Sequence, residues 1–204
     1  MQKNLLYSSD VAFTDAVKAI QEKKGSRRAY ANMERNGSWQ TAISEELKAF
    51  IESQISVFLA TANLEGQPYI QHRGGPQGFL KVLDEKTIGF VDFNGNRQFI
   101  SSGNLVENPK FHLFLIDYAN KQRVKIWGEA RIIENDAELL AKLMPSEYKA
   151  RAEQIILLDV FAWDANCPQH IPKRFEAGDV AGMLAERDRK IEALETEIKI
   201  LRLA

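Results

Sequence analysis

The sequence predicts an α+β protein in which a six-stranded antiparallel β-barrel is flanked by helices. Between residues 55 and 163, short runs of β-branched and aromatic residues alternate with turn residues, and few helical stretches separate them. At Ile55 the spacing of apolar residues changes from the helical period to the alternation that is typical of strands. Consecutive short strands joined by hairpins favour a small antiparallel barrel over a parallel α/β sheet.

Composition excludes several classes of protein. The chain has 204 residues, 27 Lys+Arg against 28 Asp+Glu, and a formal net charge of -1, so it carries no general basic field for nucleic acid. No apolar run approaches the ~20 residues of a membrane span, and the first seven residues are too polar for a secretory signal. The single cysteine, Cys167, excludes an internal disulfide and a four-thiolate zinc site. These features predict a cytoplasmic protein that binds neither membrane nor nucleic acid.

The chain divides into four predicted segments. They are an N-terminal helical segment over 1–52, a barrel over 53–165, a loop over 166–179 and an amphipathic helix over 180–204. Within the first segment, a helix over 12–24 should end at Gly25, and Ser44 should cap the next helix. Arg27 and Arg28 between them are interpreted as a solvated helix end.

The barrel is expected from strand segments and the turns between them. Strand character is found over residues 55–62, 67–73, 79–83, 87–93, 110–117, 123–132 and 155–163. Helices are expected over 97–107, 137–143 and 146–152. Turn residues such as Asn63–Gly66 and Asp84–Lys86 mark the hairpins.

The last segment has a heptad pattern. Leu184, Ile191 and Ile198 form one apolar series, and a second series seven residues apart reads Val180, Arg187, Leu194, Leu201. Charges beside the seam are complementary between two parallel copies. The pattern favours a short parallel coiled coil, and the alternative is one amphipathic helix that packs on a barrel.

The stretch from His72 to Gln98 is the most informative for chemistry. It contains Arg73, the glycine-rich bend 74–78, Lys81, and Asn94–Arg97 at the start of a predicted helix. A glycine turn before a helix presents unpaired N–H groups, and arginine has a fork of donors that suits phosphate oxygens. The alternative is an ordinary turn with solvated cations.

A longer run supports the phosphate interpretation. The sequence Phe79-Leu-Lys-Val-Leu-Asp-Glu-Lys-Thr-Ile-Gly-Phe-Val-Asp-Phe-Asn-Gly-Asn-Arg-Gln98, followed by a helix that ends at Glu-Asn-Pro109, resembles the flavin site of the pyridoxamine 5'-phosphate oxidase-like family. Members of that family are FMN-binding split barrels, usually homodimers with two flavins at the interface. The resemblance covers residues 53–163 and implies FMN as cofactor and a second copy of the chain as partner.

The resemblance also implies individual roles. Lys81 and Arg97 match residues near the phosphate, and Val91 with Asp92 matches the pair that lines the flavin. The further cofactor-binding residues that the resemblance suggests are His72, Arg73, Gly78, Phe79, Gln98 and Arg123. Arg73 substitutes here for an upstream family arginine, because the bend 74–78 looks like an insertion.

The end of the barrel departs from the vitamin B6 oxidases. Those enzymes carry an Arg-Leu-His-x-Arg pattern that grips the substrate phosphate, whereas this chain has the segment 163–175. A true pyridoxamine phosphate oxidase is therefore not expected. His170, Lys173 and Arg174 of this segment are expected to close over the cofactor or substrate, and His170 is the candidate acid or base.

Three functions remain open. The first is an FMN-dependent oxidoreductase acting on a small, unidentified substrate or electron donor. The second is a flavin carrier or sensor without enzymatic activity. The third is a haem-binding split barrel with His72, His112 or His170 as axial ligand. Cys167 and His170 do not make a closed zinc site, and Cys167 is either a redox thiol or a plain buried cysteine.

Overall fold

The computed structural model describes residues 6–166 and 168–203 of the chain. The described residues form two compact units, the first within Met1–Ile116 and Arg123–Cys167 and the second within Asp117–Gln122 and Pro168–Ala204. The helices are α1 Asp15–Lys24, α2 Arg27–Arg35, α3 Glu45–Ser53, α4 Ile100–Glu107, α5 Ala137–Leu143 and α6 Ala177–Leu203. The strands are β1 Ser56–Ala62, β2 Pro68–Gly74, β3 Leu80–Asp84, β4 Thr87–Phe93, β5 Lys110–Asp117, β6 Gln122–Ile133 and β7 Ala152–Asn166.

The helix signals of the first segment act as the sequence indicates. The Ser44 hydroxyl accepts a hydrogen bond from the Leu47 N–H at 3.1 Å and so caps α3. Gly25 ends α1 in the left-handed conformation, with a φ of 77°. Arg27 is not a solvated helix end, because it begins α2 and pairs with the buried Glu34. α2 lies within the segment that the sequence predicts to be helical, and its sequence is mostly polar.

The sheet is antiparallel, as predicted, and has seven strands instead of six. Its order is β2-β1-β5-β6-β7-β4-β3. β2 and β3 are consecutive in the chain and lie at opposite edges. β2 pairs with β1 along its whole length, and the ladder between β3 and β4 has a register shift between Val82 and Asp84. The glycine-rich bend 74–78 carries the chain from one edge to the other. The seven strands correspond to the seven segments of strand character in the sequence, so the expected count of six is one too low.

The sheet curls, so that its two edges approach each other. One face carries the main core, which includes Leu59 of β1, Phe90 of β4 and Ile126 of β6. On that face Arg73 of β2 forms an ion pair with Asp92 of β4, although four strands separate them in the sheet order. This contact across the gap makes the fold a split barrel with α4 packed against β1 and β2.

Two predicted helices differ from the observed ones. The helix expected from residue 97 begins at Ile100, because Arg97 and Phe99 have φ values of 58° and 52° in the left-handed region. The helix expected over 146–152 does not form: Pro145 and a φ of 62° at Glu147 place a turn there, and β7 starts at Ala152. Arg97 consequently lies in a loop before α4.

A second, smaller core lies on the outer face of the sheet. Val91, Ile155 and Leu157 alternate with the residues of the main core and pack against Leu143 of α5. Asp136 caps α5 at its N-terminus, because its carboxylate accepts a hydrogen bond from the Leu139 N–H at 2.9 Å. This layer fixes the outer surface of β4 and β7 next to the loop that precedes α4.

In the second unit, α6 is one continuous helix. Its apolar residues are exposed in the single chain, namely Val180, Met183, Leu184, Ile191, Leu194, Ile198, Ile200 and Leu201. The helix of the last segment is therefore present, and its coiled-coil pairing stays a prediction. Among the helices that the structure describes, none is both long and apolar enough to cross a membrane.

Candidate functional site

The loop before α4 forms the wall of a cavity of about 220 Å³. Four of the residues singled out from the sequence line it, namely Arg73, Asp92, Arg97 and Gln98. They come from β2, β4 and the loop, so the curl of the sheet is what brings them together. This cavity is the candidate cofactor site.

The loop turns sharply because two of its residues are left-handed. Arg97 and Phe99 have positive φ values, and the Asn96 Oδ1 accepts the Gln98 N–H at 3.2 Å. Within the described residues, no side chain caps the start of α4. Its first N–H groups therefore remain available to an anion, and the helix dipole adds a partial positive charge.

Arg97 is weakly held in this structure. Its side chain is 63% exposed, and its one ion pair is a 3.5 Å contact between Nη2 and the Glu153 Oε1. Its guanidinium also lies 5.5 Å from the ring centre of Phe99. An exposed ion pair at this distance contributes little to stability. Arg97 can therefore exchange Glu153 for an anionic ligand at small cost.

A buried polar network closes the inner side of the cavity. The Asp92 carboxylate pairs with Arg73 and accepts the Gln154 Nε2–H at 2.9 Å. The Gln154 amide also donates to the Ser102 Oγ at 2.7 Å. Arg73 is thus already neutralised by Asp92, and its main role here is to join the two edges of the barrel.

Among the residues that the structure describes, two buried polar atoms near the cavity have no hydrogen-bond partner. They are the Arg73 Nε and the Ser101 Oγ. Ser101 is 2% exposed and lies in the first turn of α4, and both residues line the cavity. A buried donor without a partner is costly, so these atoms indicate a site that a polar ligand completes.

A smaller cavity of about 140 Å³ lies beside the first. Its lining includes His72, Gly74, Phe79, Val91 and, shared with the first cavity, Arg73 and Asp92. His72 is held on the outer face, where its Nε2 lies 2.8 Å from the Ser56 Oγ. Five of the predicted cofactor residues therefore surround this second space.

The glycine-rich bend serves the packing of the chain itself. A Cβ on Gly75 would lie 2.7 Å from the Phe79 Cβ, and a Cβ on Gly74 would lie 2.9 Å from the His72 ring. Gly78 has a φ of 80°, which favours glycine. Close packing within the bend is thus sufficient to explain these glycines.

Lys81 lies outside both cavities, on the outer face of β3. Its ammonium donates to the Lys142 carbonyl at 2.7 Å in the last turn of α5. A helix C-terminus attracts cations, so this contact stabilises α5 against the sheet. In the single chain the Lys81 ammonium does not share the cavity with Arg97.

Arg123 lies far from Arg97 within one chain. Arg123 of β6 pairs in register with residue 166 at the end of β7, whereas Arg97 contacts Glu153 near its start. Thirteen residues of fully extended strand span at most about 43 Å. Within one chain the two arginines therefore belong to opposite ends of β7.

The remaining candidates belong to the second unit or lie outside the described residues. In the second unit, His170 is exposed with a φ of 65°. The Arg174 guanidinium lies 4.5 Å from the ring centre of Tyr118, and the Lys173 ammonium lies 5.1 Å from that of Phe175. Cys167, the predicted thiol, is outside the described residues.

His112 is a packed histidine on the outer face of β5. Its ring lies 5.0 Å from that of Trp127. Burial lowers the pKa of His112 below its ordinary value, and the ammonium of Lys125 lowers it further. His112 is thus neutral near pH 7. Among the residues that the structure describes, no group of three or more His, Cys, Asp or Glu side chains could hold a metal ion.

Sequence reasoning missed several residues of the site. Gln154, Glu153, Ser101 and Ser102 line the cavity or bond to its lining residues. The signal for Gln154 was available, since it is a polar residue at an inward position of an apolar strand. No local pattern marks the two serines.

The chain is similar to a protein family and to several solved structures. The family model described as pyridoxamine 5'-phosphate oxidase matches residues 43–173. HupZ of Group A Streptococcus has 19% identity over 65% of this chain and 99% of that chain, with a TM-score of 0.47. An FMN-binding protein of Syntrophomonas wolfei has 13% identity over 72% of this chain and 97% of that chain, with a TM-score of 0.49.

A third solved structure is also distantly similar. HutZ of Vibrio cholerae, described as a heme storage protein, has 17% identity over 58% of this chain and 89% of that chain, with a TM-score of 0.43. No curated protein matches the chain. The family model covers well over half of the sequence, including every strand of the sheet. The chain therefore belongs to the pyridoxamine 5'-phosphate oxidase family.

Proposed function

We propose that the chain is a flavoprotein that binds FMN with its phosphate in the cavity before α4. The observation that carries the proposal is the convergence of free donors on that cavity. They are the weakly held guanidinium of Arg97, the uncapped N–H groups of α4 and the unpartnered hydroxyl of Ser101.

These donors fit a phosphate group. A phosphate dianion accepts several hydrogen bonds, and the start of a helix with a nearby arginine is a common way to bind it. Arg73 contributes little net charge because Asp92 already pairs with it. Arg97 is accordingly the main cation for the phosphate, and Glu153 is the group that the phosphate must displace from it.

We place the second flavin contact on another copy of the chain. Arg123 and Arg97 belong to opposite ends of β7 in one chain, and a site shared by two chains would bring Arg97 of one copy and Arg123 of the other to one FMN. Family members are usually homodimers with flavins at the interface, and an isologous dimer would form two such sites.

The proposed activity is that of an FMN-dependent oxidoreductase. FMN supplies the electron-transfer chemistry when it is bound. The chain's own residues would hold the phosphate and orient the cofactor. His170 is the candidate proton donor or acceptor. The vitamin B6 oxidase pattern is absent from the sequence after Trp163, so the proposed substrate is a different small molecule.

The test is to identify the ligand that purifies with the full-length protein. Mass spectrometry of the material released on denaturation should give FMN, and the protein should show flavin absorbance bands. A Soret band with haem in the released fraction would contradict the flavin assignment. Rapid reduction of the bound flavin by reduced nicotinamide in a stopped-flow instrument would distinguish an enzyme from a flavin carrier.

A further inference from the structure

A third cavity, larger than the two beside α4, lies where the N-terminal segment meets the sheet. Its volume is about 400 Å³. Phe13, Tyr30 and Trp39 of the N-terminal segment line one side, and Lys125, Trp163 and Asp164 of β6 and β7 line the other. We refer to it as the aromatic cavity. All of these residues belong to the first compact unit.

The walls of the aromatic cavity are rigid planar side chains. Trp39 stacks on Trp127 with ring centres 4.7 Å apart and an angle of 11° between the rings. Phe13 meets Trp39 edge to face at 5.0 Å and Tyr30 at 5.2 Å. The Trp163 indole N–H donates to the Ala42 carbonyl at 2.8 Å, and its ring packs against the main core. Planar walls of this kind select planar ligands.

One ion pair is the charged part of the lining. The Lys125 ammonium lies 3.2 Å from the Asp164 carboxylate, and both side chains are about one-quarter exposed, at 26% and 25%. An ammonium has three donors and a carboxylate has several acceptor sites, so each group keeps capacity for a further hydrogen bond. The ammonium also lies 5.7 Å from the Trp39 ring centre and 5.4 Å from that of Trp127.

The pair determines the charge of a suitable ligand. The two opposite charges cancel, so the cavity is close to neutral. A ligand with a full charge would have to separate the pair or bury an uncompensated charge, which is costly. A neutral ring whose edge has an acceptor beside a donor can bond both groups without separating them.

The aromatic cavity is distinct from the candidate phosphate site. Asp164 is ten residues along β7 from Gln154, which is about 33 Å of extended strand. Phe13, Tyr30 and Trp39 also precede residue 43, where the match to the family begins. Half of the cavity is therefore built by a segment that the family model does not include.

We propose that the aromatic cavity binds a neutral, planar heteroaromatic molecule that presents an acceptor to Lys125 and a donor to Asp164. A primary carboxamide on a six-membered aromatic ring presents such an acceptor and such a donor side by side. The ring would lie against the aromatic side chains of the N-terminal segment, where stacking contributes to affinity. The site does not depend on the flavin assignment, because none of its residues lines the cavity before α4.

The three tryptophans of the chain provide the measurement. Trp39 and Trp163 line the cavity, and Trp127 stacks on Trp39, so all three indole N–H signals report on this region. The full-length protein, labelled with ¹⁵N-tryptophan, is titrated with three probes that share one ring. They are neutral nicotinamide, anionic nicotinate and cationic 1-methylnicotinamide.

Nicotinamide should shift the Trp39 and Trp163 signals in a saturable manner, and the two charged probes should bind at least about tenfold more weakly. Lys125→Met should weaken nicotinamide binding at least about tenfold, because a hydrogen bond to a charged group is lost. Asp164→Asn keeps the shape and should weaken binding less. Lys110→Met, at an exposed position of β5, is the matched control and should bind as the unmodified chain does.

Three results would overturn the proposal. They are shifts that do not saturate with nicotinamide, equal binding of the cationic probe, and unchanged affinity in the Lys125 variant. The indole spectrum also shows whether each variant is folded. If the indole signals of the Lys125 variant lose their native dispersion, that variant is unfolded and Asp164→Asn takes its place. An unchanged affinity of Asp164→Asn for nicotinamide would then overturn the proposal in the same way.

Discussion

Arg97→Ala is the most direct test of the candidate phosphate site. Arg97 is 63% exposed and makes one 3.5 Å ion pair, so its removal should change the free energy of unfolding by less than about 0.5 kcal/mol. The same side chain is the main free cation at the proposed phosphate position. The substitution should therefore act on the ligand and leave the fold intact.

The expected size of the effect follows from one charge-assisted contact. Such a hydrogen bond to phosphate is worth about 1.5–3 kcal/mol, which corresponds to an increase in the FMN dissociation constant of about 10- to 150-fold. Glu153→Gln should act in the opposite direction. It removes the carboxylate that competes for Arg97, and affinity should rise about two- to fivefold.

Both effects can be measured on the stripped protein by the quenching of FMN fluorescence during titration. Arg35→Ala, at an exposed arginine in the last turn of α2, is the matched control for losing one positive charge. An Arg97→Ala protein that bound FMN within twofold of the unmodified chain would refute the site. A loss of affinity in the Arg35 control of the same size would show that only overall charge is involved.

Three further predictions concern assembly, packing and pH. Changing both Ile191 and Ile198 of α6 to Asp should weaken self-association in sedimentation while flavin is retained, and unchanged association would exclude the coiled coil. Gly128→Ala should lower the free energy of unfolding in urea by about 1–3 kcal/mol or more, because the new Cβ would overlap a backbone carbonyl oxygen of β7. Gly103→Ala is its control and should raise stability by about 0.5–1 kcal/mol, because its Cβ meets open space inside α4. The folded state holds His112 neutral, with its pKa below 6.5, so its contribution to stability should be lost as the pH falls below that value. The free energy of unfolding of His112→Gln should differ less between pH 7.5 and pH 5.5 than that of the unmodified chain. An equal difference in the two proteins would show that other groups cause the pH dependence.

Much of the fold was predictable because its signals are local. The Ser44 cap and the Gly25 stop depend on a few neighbouring residues, and both form as predicted. The strands follow the alternation of apolar residues, which fixes the face that each side chain occupies. The predicted count of six strands was one too low, although all seven strands lie in segments that the sequence marks as strand-like.

The site was predictable in part. The loop before α4 was identified from its glycine and arginine, and Arg97 lines a cavity there. Its helix begins three residues later than predicted, because backbone conformation at Arg97 and Phe99 is not encoded in hydrophobic periodicity. Gln154 and Ser102 were missed because their contacts join residues that are distant in sequence.

The sequence alone determined the fold class, the family and the position of the loop that carries Arg97. The fold class and the loop depend on periodicity and on turn residues, both of which act over short distances along the chain. The family followed from the resemblance of the run from Phe79 to Gln98. Only the tertiary structure decided which charges meet. It paired Arg73 with Asp92 across the gap in the barrel, directed Lys81 to the end of α5 and separated Arg123 from Arg97 by most of the length of β7. Those outcomes depend on the curl and register of the whole sheet, which no short segment specifies.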